Sequence, residues 1–223
     1  METISGARDP RAVALLAPAL ATAGDKAKAV CRTCEVRGAG HGEEDVKATR
    51  DFEGRTYSFC SKQCAETFDS FPAGFAVHPV PRDAPSVTVR TPDGEKIELR
   101  EKGDVTLVDF WATWCAPCRK AMPEVAALAR EYAPRGLRVV GVSIDQDEKA
   151  WKKFLEKNEF EYTMARDTKD AWEKYFVAVI PAMALIDAEG RLVGEWRGTI
   201  DLATVRAAID SALPAEAAAT ETP

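Results

Sequence analysis

The spacing of apolar residues changes over a short distance in the middle of the chain. A mostly apolar run, Val105–Trp111, has the length and composition of a buried strand. From Met122 to Tyr132 the apolar residues recur three and four positions apart, which is typical of a helix. Two cysteines, Cys115 and Cys118, stand in the sequence C-A-P-C between these elements. The pattern therefore predicts a strand that leads a pair of thiols to the first turn of a helix.

Strand and helix patterns alternate along the rest of this half of the chain. Polarity alternates around the turn signal T-P-D-G-E, and the sequence D-A-E-G separates two further β-rich runs. The predicted elements are a hairpin over residues 86–100, a strand over 137–144, helices over 148–157 and 169–176, a hairpin with strands over 183–186 and 191–196, and a helix from Asp201 to about Leu213. This order predicts an α/β fold in which helices cover both faces of a mixed central sheet.

The start of a helix favours negative charge on a sulfur atom. The first backbone N–H groups of a helix have no partners inside it, and the helix dipole is positive at that end. We therefore expect Cys115 to ionise more easily than a free cysteine and to act as a nucleophile. Cys118, one turn later, is expected to be the resolving thiol. Pro117 suits a first turn because it needs no amide donor.

The stretch V-D-F-W-A-T-W-C-A-P-C resembles the thioredoxin superfamily, and the resemblance extends over residues 86–213. The text W-C-A-P-C-R-K-x-M-P, with the hairpin predicted before it, is more similar to the TlpA/ResA branch than to a plain thioredoxin. The resemblance implies a thioredoxin-like fold and a reductase of disulfides in extracytoplasmic proteins. Such a dithiol requires no organic cofactor, but a separate electron donor must reset it after each protein substrate.

The resemblance also assigns a carboxylate to the dithiol. Asp109, six residues before Cys115, matches the buried aspartate that relays a proton to the resolving cysteine in thioredoxins. The TlpA/ResA branch typically has a glutamate where this chain has Ala121, which leaves Asp109 as the better candidate for proton acceptor and Glu124 as the second. The alternative for Asp109 is a carboxylate at a strand end, with water nearby and no role in catalysis.

Residues on both sides of the thiols are expected to contact the substrate. Pro181, in V-I-P-A, matches the cis-proline that lies against the dithiol in this superfamily and presents the backbone of the preceding residue, here Ile180, to a substrate chain. Trp114 is expected to form an apolar rim on which a peptide docks. Ala116 and Pro117, between the two cysteines, complete the predicted substrate-binding set.

Four further cysteines form two close pairs earlier in the chain, C-x-x-C at Cys31 and Cys34 and C-x-x-x-C at Cys60 and Cys64. Two close pairs separated by a loop are the usual layout of a tetrahedral thiolate metal site. The text G-R-T-Y-S-F-C-S-K-Q-C-A-E-T-F-D-S-F-P resembles the YHS/TRASH family of small metal-binding modules. This resemblance implies a treble-clef-like module over residues 24–75, whose four cysteines hold zinc or a copper-like ion.

These four cysteines have three interpretations. A module this small buries little apolar surface, which favours a structural zinc that closes its fold. The second interpretation is a metal-handling protein, in which the module captures a thiophilic ion such as copper and the thioredoxin-like domain keeps the receiving cysteines reduced. In the third, the four thiols form two disulfides, although short paired spacings suit a metal better.

The remaining segments connect or flank the two modules. Residues 76–85 are rich in proline, which favours extended chain, and predict a semi-rigid linker. Residues 1–23 contain an alanine-rich apolar run after two arginines and end in A-T-A, which predicts a signal peptide and an extracytoplasmic location. The alternative is a short amphipathic helix on a cytoplasmic protein. Residues 214–223 have nothing to bury and predict a disordered tail.

Composition narrows the range of functions. The chain carries 36 acidic and 30 basic side chains, and no run of lysine and arginine is longer than a pair, which argues against a nucleic-acid surface. No apolar run approaches the ~20 residues of a transmembrane helix.

The C-A-P-C dithiol leads us to expect a thiol:disulfide oxidoreductase. The metal-handling protein is the alternative, and a peroxidase-like use of the thiolate ranks third.

Overall fold

The computed structural model of the protein describes residues 27–214. The predicted signal peptide over residues 1–23 lies outside this range, as do residues 215–223 of the tail predicted over residues 214–223. Within residues 27–214, no helix combines the length and the apolar composition that crossing a membrane requires.

The first part of the described chain is a small module of short strands and helices. Its elements are β1 (Lys28–Val30), α1 (Arg32–Val36), β2 (Glu43–Asp45), β3 (Ala48–Phe52), β4 (Arg55–Phe59), α2 (Lys62–Ser70) and α3 (Pro72–Phe75). β1 pairs with β2 and β3 pairs with β4, both antiparallel. The Phe68 ring of α2 lies at the centre of the core, against the rings of Phe52, Tyr57, Phe59 and Phe75.

The second part is built around one eight-stranded sheet. Its elements are β5 (Arg82–Asp83), β6 (Thr88–Arg90), β7 (Lys96–Glu98), β8 (Val105–Trp111), α4 (Ala116–Tyr132), β9 (Leu137–Ser143), α5 (Glu148–Leu155), β10 (Thr163–Arg166), α6 (Ala171–Lys174), β11 (Ala182–Ile186), β12 (Arg191–Arg197) and α7 (Leu202–Ala212). The strand order is β5-β12-β11-β8-β9-β10-β6-β7. β8, β9 and β10 are parallel and the other neighbours are antiparallel, so the predicted mixed sheet and both predicted hairpins are confirmed.

The two faces of the sheet carry two separate apolar cores, because side chains alternate along each strand. On β8, Leu107 and Trp111 belong to the core beneath α4, α5 and α7, whereas Val108 and Phe110 belong to the core on the opposite face, beneath α6. Helices therefore cover both faces, as predicted. Asp109 stands between Leu107 and Trp111 in this alternation and thus faces the same core as α4.

Two elements between β9 and β11 differ from the predictions. β10 has no counterpart among the predicted elements, because four residues are too few to show an alternating pattern. The helix predicted over residues 169–176 is reduced to α6. Its start is delayed because the Asp167 carboxylate accepts hydrogen bonds from the backbone N–H groups of Lys169 and Trp172, which holds the preceding residues in a turn.

Residues 76–85, predicted to be a semi-rigid linker, instead include a strand of the sheet. Arg82 in β5 stands opposite Leu192 in β12, so the segment adds an edge strand to the sheet. The Arg82 guanidinium also forms two hydrogen bonds with the Glu195 carboxylate, at 2.8 and 2.9 Å. The prolines are compatible with this position because an edge strand leaves one row of amides unpaired.

The module packs directly against the second part of the chain. The Phe71 ring contacts Trp172 edge to face with 5.7 Å between ring centroids, and His78 stacks on Phe176 at 4.4 Å. Ala178, which precedes β11, joins the apolar core of the module. The two parts are therefore in direct contact.

The packing around Asp109 predicts how a methyl group added at Gly141 changes the stability of the protein. Gly141 in β9 stands beside Asp109 in β8, and a Cβ atom there would lie 2.7 Å from the Met164 sulfur and 3.0 Å from the Tyr162 ring. We expect Gly141→Ala to lower the free energy of unfolding by about 1–3 kcal/mol, as overpacking a core does. Denaturant titration measures this change. Gly40→Ala, where the new Cβ meets only a backbone atom at 3.7 Å, is the control and should remain near the parent value.

Candidate active site

The two thiols of the C-A-P-C sequence lie at the N-terminus of α4. Cys115 is the N-cap residue, and its sulfur accepts a hydrogen bond from the backbone N–H of Cys118 at 3.2 Å. Pro117 occupies the first turn, where its missing amide leaves no donor unpaired. The structure joins Cys115 and Cys118 in a disulfide and so shows the oxidised form of the dithiol. In the reduced form, the same N–H group and the helix dipole favour a thiolate on Cys115.

Asp109 is a buried carboxylic acid on the side of the sheet that carries the dithiol. Its side chain is 4% exposed, and the alternation along β8 directs it towards the core that contains Cys115 and Cys118. Burial raises the pKa of Asp109 to about 7, an effect that the neighbouring Tyr162 hydroxyl opposes. A carboxyl group with this pKa exchanges protons near neutral pH.

Sequence reasoning missed Tyr162 as a neighbour of Asp109. Tyr162 immediately precedes β10, and its ring is buried beside Asp109 and Gly141. Burial, followed by the charge of Asp109, raises the pKa of Tyr162, so its hydroxyl remains protonated beside the carboxyl group. A prediction of β10 from the sequence would have indicated that Tyr162 lies close to Asp109.

The Ile180–Pro181 peptide bond is cis, as predicted. Pro181 comes directly before β11, which pairs with β8 so that Ala182 stands opposite Phe110. Because β8 leads to the cysteines, this register brings Pro181 to the end of the strands at which the dithiol lies.

A groove of about 410 Å³ runs beside the dithiol, with Pro117, Ile180 and Pro181 among its lining residues. Trp114, which precedes Cys115, is 67% exposed and is the most exposed large apolar side chain in the described part of the chain. Ala116 is exposed as well. The predicted substrate-binding residues thus lie next to the thiols, where they form an apolar surface.

The two candidate proton acceptors differ in environment. Glu124 is exposed and lines the groove together with Ala121, whereas Asp109 is buried. Burial raises the pKa of the Asp109 carboxyl towards neutrality. Asp109 is therefore the better placed of the two for proton exchange within the site.

The four cysteines of the module converge on one point. Cys31 is the N-cap of α1 and Cys34 lies within α1, while Cys60 and Cys64 stand on either side of the N-cap of α2. All four sulfur atoms lie within 4.8 Å of one another. The sulfurs of Cys34, Cys60 and Cys64 are 3.7 Å apart in each pair.

These distances fit a tetrahedral thiolate site. Four sulfurs bound at the zinc–sulfur distance of ~2.3 Å are about 3.8 Å apart at the corners of a tetrahedron. The four module cysteines are free thiols, so the interpretation as two disulfides is wrong for this structure.

The fold and the dithiol together define a thioredoxin-like thiol-disulfide oxidoreductase. A sequence profile described as the AhpC/TSA family matches residues 80–194, and the chain belongs to this family.

Several named proteins are similar to this chain. Thiol-disulfide oxidoreductase ResA of Bacillus cereus (strain ATCC 10987 / NRS 248) is 32% identical over 119 residues, which are 52% of this chain and 69% of ResA. Thioredoxin-like protein YneN of Bacillus subtilis (strain 168) is 34% identical over 123 residues, covering 53% of this chain and 72% of YneN. The crystal structure of the thioredoxin domain of a thiol-disulfide oxidoreductase from Bacteroides vulgatus is 27% identical with a TM-score of 0.54, and the match covers 61% of this chain and 99% of that one.

These similarities favour the oxidoreductase over the metal-handling alternative. The family match begins at residue 80, after the module that contains the four clustered cysteines. The module is thus an addition to the part of the chain that defines the family.

Proposed function

We propose that this oxidoreductase is a reductase of disulfides in extracytoplasmic proteins. The observation that carries the proposal is the dithiol at the start of α4, bordered by the exposed Trp114 and by the groove at Pro181. A protein disulfide needs this kind of open, apolar surface, since a peptide chain must reach the sulfur. The resemblance to the TlpA/ResA branch supports reduction as the direction of the reaction. The leader-like sequence of residues 1–23 supports an extracytoplasmic location.

The reaction begins on the exposed side of the dithiol. The thiolate of Cys115 attacks one sulfur of the substrate disulfide, forms a mixed disulfide with it and releases the other substrate sulfur as a thiolate, which takes a proton from water. Cys118 then gives its proton to the Asp109 carboxylate and attacks the Cys115 sulfur. The second substrate sulfur leaves as a thiolate and takes a proton from water, Asp109 releases its proton to solvent, and the enzyme retains the Cys115–Cys118 disulfide.

The two-electron balance requires a further partner. The substrate gains two electrons and two protons, and the enzyme dithiol loses them. A separate dithiol donor therefore has to reduce Cys115–Cys118 before the next cycle, and no organic cofactor takes part. During the first step, the backbone of Ile180 holds the substrate chain, and Trp114, Ala116 and Pro117 contact its apolar side chains.

Cys118→Ser tests this function by trapping its intermediate. The variant can attack a substrate but cannot resolve the product, so mixed disulfides to Cys115 should accumulate and should disappear on treatment with a reductant. Non-reducing gels and mass spectrometry detect them. The trapped partners should be extracytoplasmic proteins, and the double variant with Cys115→Ser should trap none. Release of reduced substrate by Cys118→Ser at the parental rate, or capture of cytoplasmic proteins alone, contradicts the proposal.

We propose in addition that the four module cysteines hold a structural zinc ion. The tetrahedral spacing of their sulfurs supports a thiolate site, and the small size of the module core supports a structural role. Zinc bound by four thiolates has no open position, so the ion would cross-link α1 and α2 and take no part in disulfide exchange. Copper is the alternative ion for the same ligands.

A further inference from the structure

The module that carries the four cysteines reaches the groove beside the dithiol. The loop after α1 packs on the connection between β12 and α7, at two glycines with positive φ. A Cβ on Gly198 would lie 2.4 Å from the backbone oxygen of Val36, and a Cβ on Gly38 would lie 2.4 Å from the Thr199 hydroxyl. Both φ values, 74° and 71°, favour glycine. The two backbones therefore approach more closely than larger residues allow.

This close approach places Arg37 at the groove. Arg37 stands between Val36 and Gly38, and it lines the groove opposite residues that belong to the dithiol site, including Pro117, Ile180 and Pro181. The module thus contributes Arg37 to the surface on which a substrate chain would lie. The family match does not include Arg37, because it begins at residue 80.

The charged residues that line the groove are Arg37, Lys120 and Glu124. All three are exposed, and within residues 27–214 their side chains form no ion pair or hydrogen bond with one another or with other side chains. The groove therefore carries a net positive charge, whereas the whole chain has a net charge of −6. An arginine at such a position matches a carboxylate in both charge and geometry.

We propose that the module forms part of the substrate-binding surface and that Arg37, assisted by Lys120, selects disulfides flanked by acidic residues. The proposal deepens the reductase function proposed above and rests on it. The substrate segment would be an extended peptide whose cysteine reaches Cys115 while an aspartate or glutamate a few residues away meets Arg37. The ion pair between Arg37 and the substrate carboxylate would be exposed to solvent. Its attraction therefore acts mainly on substrate binding and weakens as salt is added.

Peptide substrates of equal length test the proposal on the full chain. Each contains one disulfide, flanked by aspartates, asparagines or lysines, and its reduction is measured as kcat and KM. For the parent we expect kcat/KM to be about fivefold higher with aspartates than with asparagines at low salt, as an exposed charge pair allows. This preference should appear as a lower KM for the peptide with aspartates, and it should become smaller in 0.5 M salt.

Arg37→Glu should reverse this preference. Its kcat/KM should fall more than fivefold for the acidic peptide, because a repulsion replaces the attraction, rise for the lysine peptide and remain unchanged for the asparagine peptide. The matched control is Arg55→Glu, an equal change of charge at an exposed position of the same module that does not line the groove. This control should behave as the parent does.

Two kinds of failure can be told apart in the same assay. If the parent reduces none of the peptides, the reductase function itself is wrong. If the parent reduces all of them and Arg37→Glu has the same peptide preference as Arg55→Glu, only the role of Arg37 is overturned. Equal metal content and equal rates on the asparagine peptide show that Arg37→Glu has left both the fold and the dithiol intact.

Discussion

Replacement of both Cys60 and Cys64 with serine should unfold the small module within the full chain. The two residues lie at the start of α2 and supply half of the proposed zinc ligands. Structural zinc contributes roughly 10 kcal/mol or more to the folding of comparable small domains. The apolar core of the module includes only a few large side chains, such as Phe59 and Phe68, and this small core cannot replace that contribution.

Hydrogen exchange resolved by mass spectrometry measures this effect. In the parent, the backbone amides of β3, β4 and α2 should be protected, and native mass spectrometry should find one zinc ion per chain. In the double variant, and in the parent after removal of the metal by a strong chelator, protection should be lost in these elements. β8 and β9 should remain protected, because their core lies within the sheet of the second part.

The cysteines of the dithiol provide the matched control. Cys115→Ser with Cys118→Ser removes the same number of thiols from a site that lies outside the cluster. This control should retain one zinc ion and full protection of the module. A Cys60→Ser, Cys64→Ser protein that binds no zinc and is nevertheless fully protected would contradict a structural role. One copper ion in the natively isolated protein would change the identity of the metal and leave the ligand set intact.

Local sequence patterns predicted the central elements of the site. The thiols, the strand before them and the helix after them are neighbours in the sequence, so their arrangement follows from short-range rules. The cis-proline before β11 could be predicted because it belongs to a family pattern that includes its neighbours.

The contacts that the sequence did not predict join residues that are far apart in the chain. Tyr162 approaches Asp109 only because β10 pairs with β9. The contact of Gly38 with Thr199 depends on how the module docks, and a glycine in a loop does not reveal which atom will approach it. β5 is two residues long and is stabilised by its pairing with β12 and by the contact between Arg82 and Glu195. Such elements are determined by tertiary contacts and leave little periodicity in the sequence.

Asp109→Asn should stabilise the oxidised protein above neutral pH. Burial raises the pKa of Asp109 to about 7, so the folded protein binds more protons than the unfolded chain between about pH 4 and pH 7. The parent therefore loses stability as pH rises through this window, and the loss is complete above pH 7. A shift of about three pH units corresponds to about 4 kcal/mol. Asparagine carries no charge and avoids this loss.

Denaturant unfolding at pH 4 and at pH 8 measures the predicted stabilisation. The difference in unfolding free energy between Asp109→Asn and the parent should increase by about 4 kcal/mol from pH 4 to pH 8. Asp104→Asn, which removes a carboxylate that is about half exposed and pairs with Arg138, is the control and should show no comparable increase. If the increase is absent, the carboxylate is hydrated, as in the alternative of a strand-end carboxylate with water nearby.

The same variant should slow the release of substrate from the mixed disulfide. Without the Asp109 carboxylate, Cys118 has no buried proton acceptor, and we expect resolution at pH 7 to be about 100-fold slower, the low end of what a positioned base contributes. The defect should diminish above pH 9, where a thiol ionises without help. Stopped-flow measurement of resolution across this range records both effects.

Tyr162→Phe separates proton transfer from a general loss of structure. The Tyr162 hydroxyl lowers the pKa of Asp109, so its removal should move the pH dependence of resolution to higher pH without removing the acceptor. Asp109→Asn, in contrast, should abolish the transition near pH 7 altogether. A displaced transition in one variant and a missing transition in the other cannot both result from looser packing. An unchanged profile in both variants would show that Cys118 gives its proton to another group and that the buried carboxyl has no part in the exchange.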